Sequence, residues 1–268
     1  MMETRIDHCF KNLKKENKKA FIAYITAGDP NLDSTLDIVR NLEDVGVDII
    51  ELGLPFSDPL ADGRVNQEAS IRALKSGSTF EGVMDCISTI RKSSNIPIVL
   101  YAYLNTLLSR GFEESINIAS KAGVDGFLLL DLPLEESGPY RNFLKNNHVN
   151  TIQLITPTTP DHRIEKISKH ANGFIYCVSR EGVTGVQNRI DVGAGNLVKR
   201  IKLKTNLPVA IGFGIGTPEQ AAEAALLGDG VVVGSAIVNK FNDESDTIEG
   251  RQRAAKFVKK MVRAVKEV

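Results

Sequence analysis

The strongest constraint on the fold is a regular alternation of apolar, strand-like stretches with helix-like stretches along the 268 residues. Eight stretches are rich in apolar and β-branched residues: 20–26, 47–53, 97–103, 126–131, 151–156, 173–179, 208–212 and 230–234. Most are nearly continuous apolar runs, which is typical of parallel strands covered on both faces. Eight such strand–helix units predict an α/β fold, a closed (β/α)8 TIM barrel, with the active site at the C-terminal ends of the strands.

The remaining segments complete this prediction. An extra N-terminal helix carries Ile6, Phe10 and Leu13 on one face and is expected to plug the bottom of the barrel. The polar stretch 242–250 is predicted to be a surface connection. We expect a single barrel domain over residues 1–268. The alternative, a doubly wound open sheet, is disfavoured because no glycine-rich dinucleotide turn follows the first strand.

Charge and cysteine content restrict the class of partner and the compartment. Lys plus Arg equals Asp plus Glu at 33 each, so the chain has no net positive charge to attract nucleic acid or an anionic membrane. No signal peptide and no apolar run of membrane-spanning length is recognisable. Cys9, Cys86 and Cys177 are odd in number and far apart, which favours a reducing cytoplasm over a disulfide framework.

One carboxylate lies in the second predicted strand and another in the loop that follows it. Glu51 lies inside an apolar strand, where a charged group is costly unless it is paired or functional. Its position at the predicted mouth favours function, and its apolar neighbours should raise its pKa towards neutrality. Asp62 follows on a Pro- and Gly-rich loop that could cover the mouth, whereas Asp58 is interpreted as a residue that braces this loop.

Glycine-rich segments follow the last three predicted strands. They are residues 179–185 (SREGVTG), 212–215 (GFGI) and 234–235 (GS). Backbone N–H groups in such loops, together with a helix N-terminus, commonly bind phosphate in barrels of this kind. Each segment alone is weak evidence, but all three in the expected places predict a phosphate site.

No other chemistry is indicated by motif. The four histidines form no ligand pair on a helix face, no Cys/His cluster has zinc spacing, and no Ser-His-Asp nucleophile elbow is present. The sequence therefore predicts a site built on carboxylates and phosphate-binding backbone rather than on a metal.

Residues 51–63 (ELGLPFSDPLADG) resemble the signature of the tryptophan synthase α-subunit family. Further similarities occur in order along nearly the whole chain, at 27–30 (AGDP), 131–133 (DLP), 179–185, 212–215 and 234–238 (GSAIV). The resemblance implies a TIM barrel that splits indole-3-glycerol phosphate into indole and glyceraldehyde 3-phosphate.

The resemblance also implies a role for individual residues. Glu51 would protonate the indole ring at C3 and handle the glycerol hydroxyl proton, and Asp62 would hold the indole N–H. Thr184 would bond to Asp62 when the site closes. Gly185, Gly214, Gly234 and Ser235 would bind the phosphate, while Tyr24, Tyr101, Leu128, Leu130, Tyr176 and Phe213 would line the substrate pocket.

The family's reaction needs an acid, a counter-charge, a phosphate anchor and exclusion of water, so no metal or organic cofactor is expected. The resemblance implies a pyridoxal-phosphate β subunit as partner in an α2β2 complex, which contacts a rim formed by Pro55, Phe56, Ser57, Asp58 and Pro59. Three alternatives remain: a weakly active activator of the β subunit, a stand-alone lyase that releases indole, and another phosphate-binding barrel such as a sugar-phosphate isomerase.

Two segments depart from the family pattern. Arg64 and Asn66 stand where relatives have Pro and an apolar residue, and 101–104 reads YAYL where Tyr-x-Asn is usual. One interpretation is that the loop closes less well without proline and that Asn66 places an amide without a hydrogen-bond partner near the indole pocket, which together give weaker activity alone. The other is that Arg64 faces solvent and Asn66 caps a helix beginning at Gln67.

Overall fold

The eight apolar stretches form eight parallel strands that close into a barrel. A computed structural model of the chain describes residues 3–178, 192–212, 214–244 and 247–268. The strands are β1 (Ala20–Thr26), β2 (Ile49–Gly53), β3 (Ile98–Ala102), β4 (Gly126–Leu129), β5 (Asn150–Ile155), β6 (Ile175–Val178), β7 (Val209–Gly212) and β8 (Gly230–Val233). Each strand pairs with the next in sequence, and β8 pairs with β1. This closure confirms the barrel and excludes the open sheet.

Helices cover the outside of the barrel and fill the connections between strands. They are α1 (Arg5–Lys15), α2 (Leu32–Asp44), α3 (Arg64–Lys75), α4 (Phe80–Ile90), α5 (Leu104–Leu108), α6 (Phe112–Ala122), α7 (Gly138–Asn146), α8 (Asp161–His170), α9 (Val192–Lys202), α10 (Pro218–Leu227), α11 (Ser235–Glu244) and α12 (Ile248–Lys266). Within the described ranges, no helix is both long enough and apolar enough to cross a membrane.

Side-chain oxygens at several helix starts explain where those helices begin. Asn31, Thr79 and Thr217 each accept a hydrogen bond from the backbone N–H three residues later, which satisfies a donor that has no partner within the helix. Thr247 does the same for α12. The prediction of a surface connection over 242–250 was therefore wrong at both ends, because α11 continues to Glu244 and the Thr247 cap starts α12 at Ile248.

The strands separate two apolar layers. On β2, Ile50 and Leu52 belong to the large cluster between strands and helices, whereas Ile49 belongs to a smaller cluster inside the barrel. Since successive side chains of a strand point to opposite faces, Glu51 lies on the inner face with Ile49. The same alternation places Tyr24 with Ile22, and Tyr101 with Val99, on the inner face.

Helix α1 closes the N-terminal end of the barrel, as the sequence predicted. Ile6, Phe10 and Leu13 are buried and belong to the same cluster as the inner strand residues. The Phe10 ring lies 5.6 Å from the ring of Phe174, and Arg5 forms an ion pair with Asp125 at 2.8 Å. With this end filled, the pocket can open only at the C-terminal ends of the strands.

Candidate active site

Glu51 is a buried carboxyl near the C-terminal end of β2. Only 1% of the residue is exposed, and its Oε1 has no hydrogen-bond partner among the described residues. Burial, and to a lesser extent the Asp62 carboxylate, raise the pKa of Glu51 from an ordinary 4.5 to about 8. The group is therefore mainly protonated at neutral pH and can donate a proton, as the sequence analysis expected.

Asp62 lies beside Glu51 and has several donors of its own. Tyr101 donates its hydroxyl proton to Oδ1 at 2.6 Å, and Tyr103 donates to Oδ2 at 2.8 Å. Burial raises the pKa of Asp62 above its ordinary value, and hydrogen bonds from Tyr101, Tyr103 and the Asn66 side chain reverse only part of that rise. These donors favour the ionised form, which is the form needed to stabilise a positive charge.

Aromatic rings surround the two carboxyls. Tyr24 on β1 is aligned with Glu51 on β2, and the Tyr24 and Tyr101 rings meet edge to face with centroids 4.9 Å apart. Burial raises the pKa of the Tyr176 hydroxyl on β6, and the nearby Glu51 carboxyl adds to that rise. Glycine is required beside two of these rings, because a Cβ on Gly53 would lie 2.5 Å from the Tyr24 hydroxyl oxygen. A Cβ on Gly212 would lie 2.2 Å from the hydroxyl oxygen of Tyr176.

The two leucines assigned to the pocket lie on or just after β4. Leu128 is buried in the inner cluster, and Leu130 is partly buried against it. With Tyr24, Tyr101 and Tyr176 they form an apolar wall of the kind that a flat aromatic group requires.

The predicted phosphate-binding positions are only partly described. Gly234 and Ser235 lie where β8 ends and α11 begins, and the Gly234 carbonyl accepts from the N–H groups of Ile237 and Val238. Gly214 has a φ of 73°, a backbone conformation that glycine adopts readily. The remaining assignments, Thr184, Gly185 and Phe213, lie outside the described residues.

The rim assigned to a partner follows β2 directly. Pro55 is buried, Phe56 and Pro59 are partly buried, and Ser57 and Asp58 are exposed. The Phe56 ring stacks on Tyr103 with centroids 5.0 Å apart. The exposed part of this rim is therefore smaller and more polar than its sequence indicates.

The structure decides part of the question about Arg64 and Asn66. Arg64 faces solvent, with its side chain 90% exposed and paired to Glu68, as one interpretation expected. The capping role of Asn66 was wrong, because α3 begins at Arg64 and Gly63 is its N-cap residue. Asn66 instead lies in the first turn, where its side chain hydrogen bonds to Asp62 and its buried Oδ1 has no partner among the described residues.

Tyr103 is a site residue that the sequence analysis did not assign. Tyr103 is 4% exposed and contacts Asp62 directly. The signal for Tyr103 was available, because it is two residues beyond Tyr101 and residues so spaced in a strand share a face. The sequence analysis also placed the Asn66 amide near the pocket, but its hydrogen bond to Asp62 was not foreseen because that contact depends on where α3 begins.

Metal binding has no candidate here. Across the parts of the chain that the structure describes, no group of three or more His, Cys, Asp or Glu side chains is arranged to hold a metal ion.

A buried carboxyl with a raised pKa, an adjacent carboxylate and an aromatic wall at the C-terminal ends of the strands are the features of an α/β-barrel enzyme site suited to general acid–base catalysis. A sequence profile described as tryptophan synthase alpha chain matches residues 10–266. The chain belongs to the tryptophan synthase alpha chain family.

Individual relatives agree with this membership. The tryptophan synthase alpha chain of Pelobacter propionicus is 42% identical over 261 residues and 97% of each chain. That of Opitutus terrae is 48% identical over 88% of this chain and 89% of its own. The solved tryptophan synthase subunit alpha of Legionella pneumophila str. Paris superposes with a TM-score of 0.91 at 33% identity, covering 99% of this chain and 100% of its own.

Proposed function

We propose that Glu51 and Asp62 carry out in this chain the reaction of its family, the retro-aldol cleavage of indole-3-glycerol phosphate into indole and glyceraldehyde 3-phosphate. The chain is a carbon–carbon lyase of tryptophan biosynthesis. The observation that supports the residue assignment is the buried Oε1 of Glu51, which has no hydrogen-bond partner in the described part of the chain, on a group whose pKa is raised to about 8.

The proton transfers of this reaction balance with these two groups. Protonated Glu51 donates to C3 of the indole ring, which makes the ring a cationic indolenine. Ionised Asp62 accepts the indole N–H and stabilises this charge. The Glu51 carboxylate then takes the proton of the glycerol hydroxyl next to C3 as the carbon–carbon bond breaks. The bonding electrons return to the ring, so Glu51 ends the cycle protonated.

We propose that the phosphate group of the substrate binds at Gly214, Gly234 and Ser235, together with Gly185. The N-terminus of α11 supports this assignment, because free N–H groups and the helix dipole favour an anion there. A phosphate fixed across the mouth would orient the indole ring towards Glu51 and Asp62.

We propose that the reaction proceeds without a metal or organic cofactor. Acid–base chemistry on a ring that itself accepts the electron pair needs neither. Full activity after exhaustive chelation is the expected result, and restoration of lost activity by zinc or magnesium would contradict it.

We propose a pyridoxal-phosphate β subunit as the partner, contacting the rim from Pro55 to Pro59. The exposed Leu60 beside this rim supports a contact surface there. A solved structure of tryptophan synthase from Mycobacterium tuberculosis is in an aminoacrylate-bound form. One of its chains superposes on this chain with a TM-score of 0.88 at 26% identity, covering 98% of this chain and 100% of its own. We also propose that residues 1–268 act as one barrel domain in the cytoplasm, where the free thiols of Cys9, Cys86 and Cys177 stay reduced.

The decisive experiment is Glu51→Gln in an indole-release assay, with and without a β subunit. The amide keeps the shape of the side chain but cannot transfer a proton, so turnover should fall by about 100- to 10,000-fold. In the wild-type chain, kcat/KM should fall as pH rises through about 8, because the acid form of Glu51 is lost there.

Two outcomes would contradict the assignment. Substantial turnover by Glu51→Gln would mean that another group supplies the proton. Negligible wild-type turnover, combined with normal activation of the β subunit, would favour the alternative of a weakly active activator.

A further inference from the structure

Tyr103 contacts the loop that carries Asp62 at three points. We call residues 54–63, which connect β2 to α3, the Asp62 loop. The Tyr103 ring stacks on Phe56 with centroids 5.0 Å apart and an interplanar angle of 29°. Its hydroxyl oxygen accepts a hydrogen bond from the Ala61 N–H at 3.0 Å, and the hydroxyl proton is donated to Asp62 Oδ2 at 2.8 Å. One side chain therefore contacts both the early and the late part of the loop.

The two ends of the Asp62 loop are anchored separately. The Leu54 N–H donates to the Tyr101 carbonyl at 2.9 Å, which continues the pairing of β2 with β3. At the other end, Gln67 on α3 donates its amide to the Asp62 carbonyl at 2.9 Å. Between these anchors, Ser57, Asp58 and Leu60 are exposed. A loop with fixed ends and an exposed middle is ordered most effectively by an interior contact that spans it, and Tyr103 makes such a contact.

We propose that Tyr103 is a positioning residue that holds the Asp62 loop over the barrel mouth before substrate or a partner subunit binds. This inference rests on the proposed role of Asp62 in catalysis. With the carboxylate already in place, less conformational freedom is lost when the substrate binds. The chain would therefore depend less on a partner subunit to assemble its active site. Arg64 and Asn66, which depart from the family pattern, would indicate a greater dependence.

The charge of Asp62 provides a second readout. Its surroundings are Tyr24 on β1, Glu51 on β2, Tyr101 and Tyr103 at the end of β3, and Tyr176 on β6, with Asn66 on α3. Asp131, whose carboxylate accepts from the Leu104 N–H, also faces Tyr103. Hydrogen bonds from the hydroxyls of Tyr101 and Tyr103 lower the pKa of Asp62, so removing either one should make the carboxylate ionise at a higher pH.

The test compares three Tyr→Phe variants of the full chain. Tyr103→Phe keeps the ring on Phe56 but removes both hydrogen bonds of the hydroxyl. Tyr101→Phe removes a hydrogen bond to the same carboxylate from a residue that does not stack on the loop. Tyr140→Phe is a remote control, because that ring packs on Phe112 among the outer helices, with centroids 4.5 Å apart.

Amide hydrogen exchange without substrate measures the order of the loop directly. Tyr103→Phe should speed exchange across 54–63 by about tenfold, lower kcat/KM by about tenfold and move the acidic limb of its pH profile to higher pH. Tyr101→Phe should move the acidic limb and leave the exchange rates unchanged. Tyr140→Phe should change neither.

The proposal would be overturned if Tyr103→Phe kept the amide exchange rates of the wild type across 54–63 and the acidic limb of the wild-type pH profile. Should that variant fail to fold, Phe56→Leu provides the same test, since it removes the stacking contact and leaves the hydroxyl in place. Faster exchange across 54–63 is expected for Phe56→Leu, and an unchanged rate would overturn the proposal. Hydrogen exchange requires no turnover, so it separates a failure of this inference from a failure of the assignment of Glu51 and Asp62.

Discussion

At the scale of single residues, burial and hydrogen bonding give two neighbouring carboxyls different tasks. Glu51 has a buried oxygen without a partner in the ranges that the structure describes and a pKa raised to about 8, so it is mainly protonated at neutral pH. Asp62 accepts hydrogen bonds from the hydroxyls of Tyr101 and Tyr103, which reverse part of the rise that burial causes in its pKa. Two groups of the same chemical type can therefore serve as acid and as counter-charge.

Asn66 offers a test of how stability and activity are balanced at this site. Its side chain hydrogen bonds to Asp62, but its buried Oδ1 has no partner among the described residues. Asn66→Leu removes an unpaired acceptor, whose burial costs about 1–3 kcal/mol. The variant should unfold with a free energy equal to or greater than that of the wild type, whereas kcat/KM should fall by about tenfold as Asp62 loses a donor.

Urea unfolding and steady-state kinetics measure the two effects. Arg64→Ala is the matched control on the same turn of α3, because an exposed pair such as the one with Glu68 contributes little to stability. A large loss of stability in Asn66→Leu would show that Oδ1 has a partner in solution.

At the scale of secondary-structure elements, each element contributes to the site through its end or through one face. The inner face of β2 carries Glu51, and the end of β3 carries Tyr101 and Tyr103. Helix α3 starts directly after the Asp62 loop and supplies Asn66 and Gln67. Helix α1 has a structural task at the opposite end of the barrel, where it buries Ile6, Phe10 and Leu13.

This separation predicts that the plug can be weakened without loss of chemistry. Phe10→Ala should lower the free energy of unfolding by about 3 kcal/mol, because a large aromatic side chain leaves a cavity against Phe174. At 25 °C, kcat should stay within about twofold of the wild type, since Phe10 lies at the other end of the barrel from Glu51. Chemical denaturation and the indole-release assay check both values.

Lys11→Ala is the control for the plug, as it changes an exposed residue of the same helix and should shift stability by about 0.5 kcal/mol or less. A large fall in kcat for Phe10→Ala, with the protein still folded, would mean that the two ends of the barrel are coupled.

At the scale of the whole molecule, barrel closure brings together residues that are far apart in sequence. Tyr24, Glu51, Tyr101 and Tyr176 come from four strands, and closure places all four around one pocket. The same closure removes Glu51 from water, which raises its pKa and also reduces the stability of the fold at high pH.

Glu51→Gln should therefore be more stable than the wild type, by an amount that depends on pH. In the unfolded chain Glu51 ionises near 4.5, and in the folded chain near 8. The wild type should lose stability relative to Glu51→Gln as pH rises from about 4.5 to about 8, and the difference should then level off. One pKa unit corresponds to about 1.4 kcal/mol, so the plateau should reach a few kcal/mol.

Thermal or urea unfolding of both proteins across this pH range measures the difference. The corresponding change at an exposed carboxyl, Glu249→Gln, is the control for the substitution itself. A constant difference between wild type and Glu51→Gln would indicate that Glu51 titrates alike in the folded and unfolded chains.

The sequence by itself determined the class of fold, the order of the strands, the N-terminal plug and the positions of Glu51 and Asp62. These features depend on local apolar patterns and on a contiguous signature at 51–63, both of which are readable in one dimension. It did not reveal where α3 begins, that 242–244 and 248–250 are helical, or that Tyr103 spans the Asp62 loop. Only the tertiary structure decided these points, because each depends on contacts between segments whose separation no local pattern encodes.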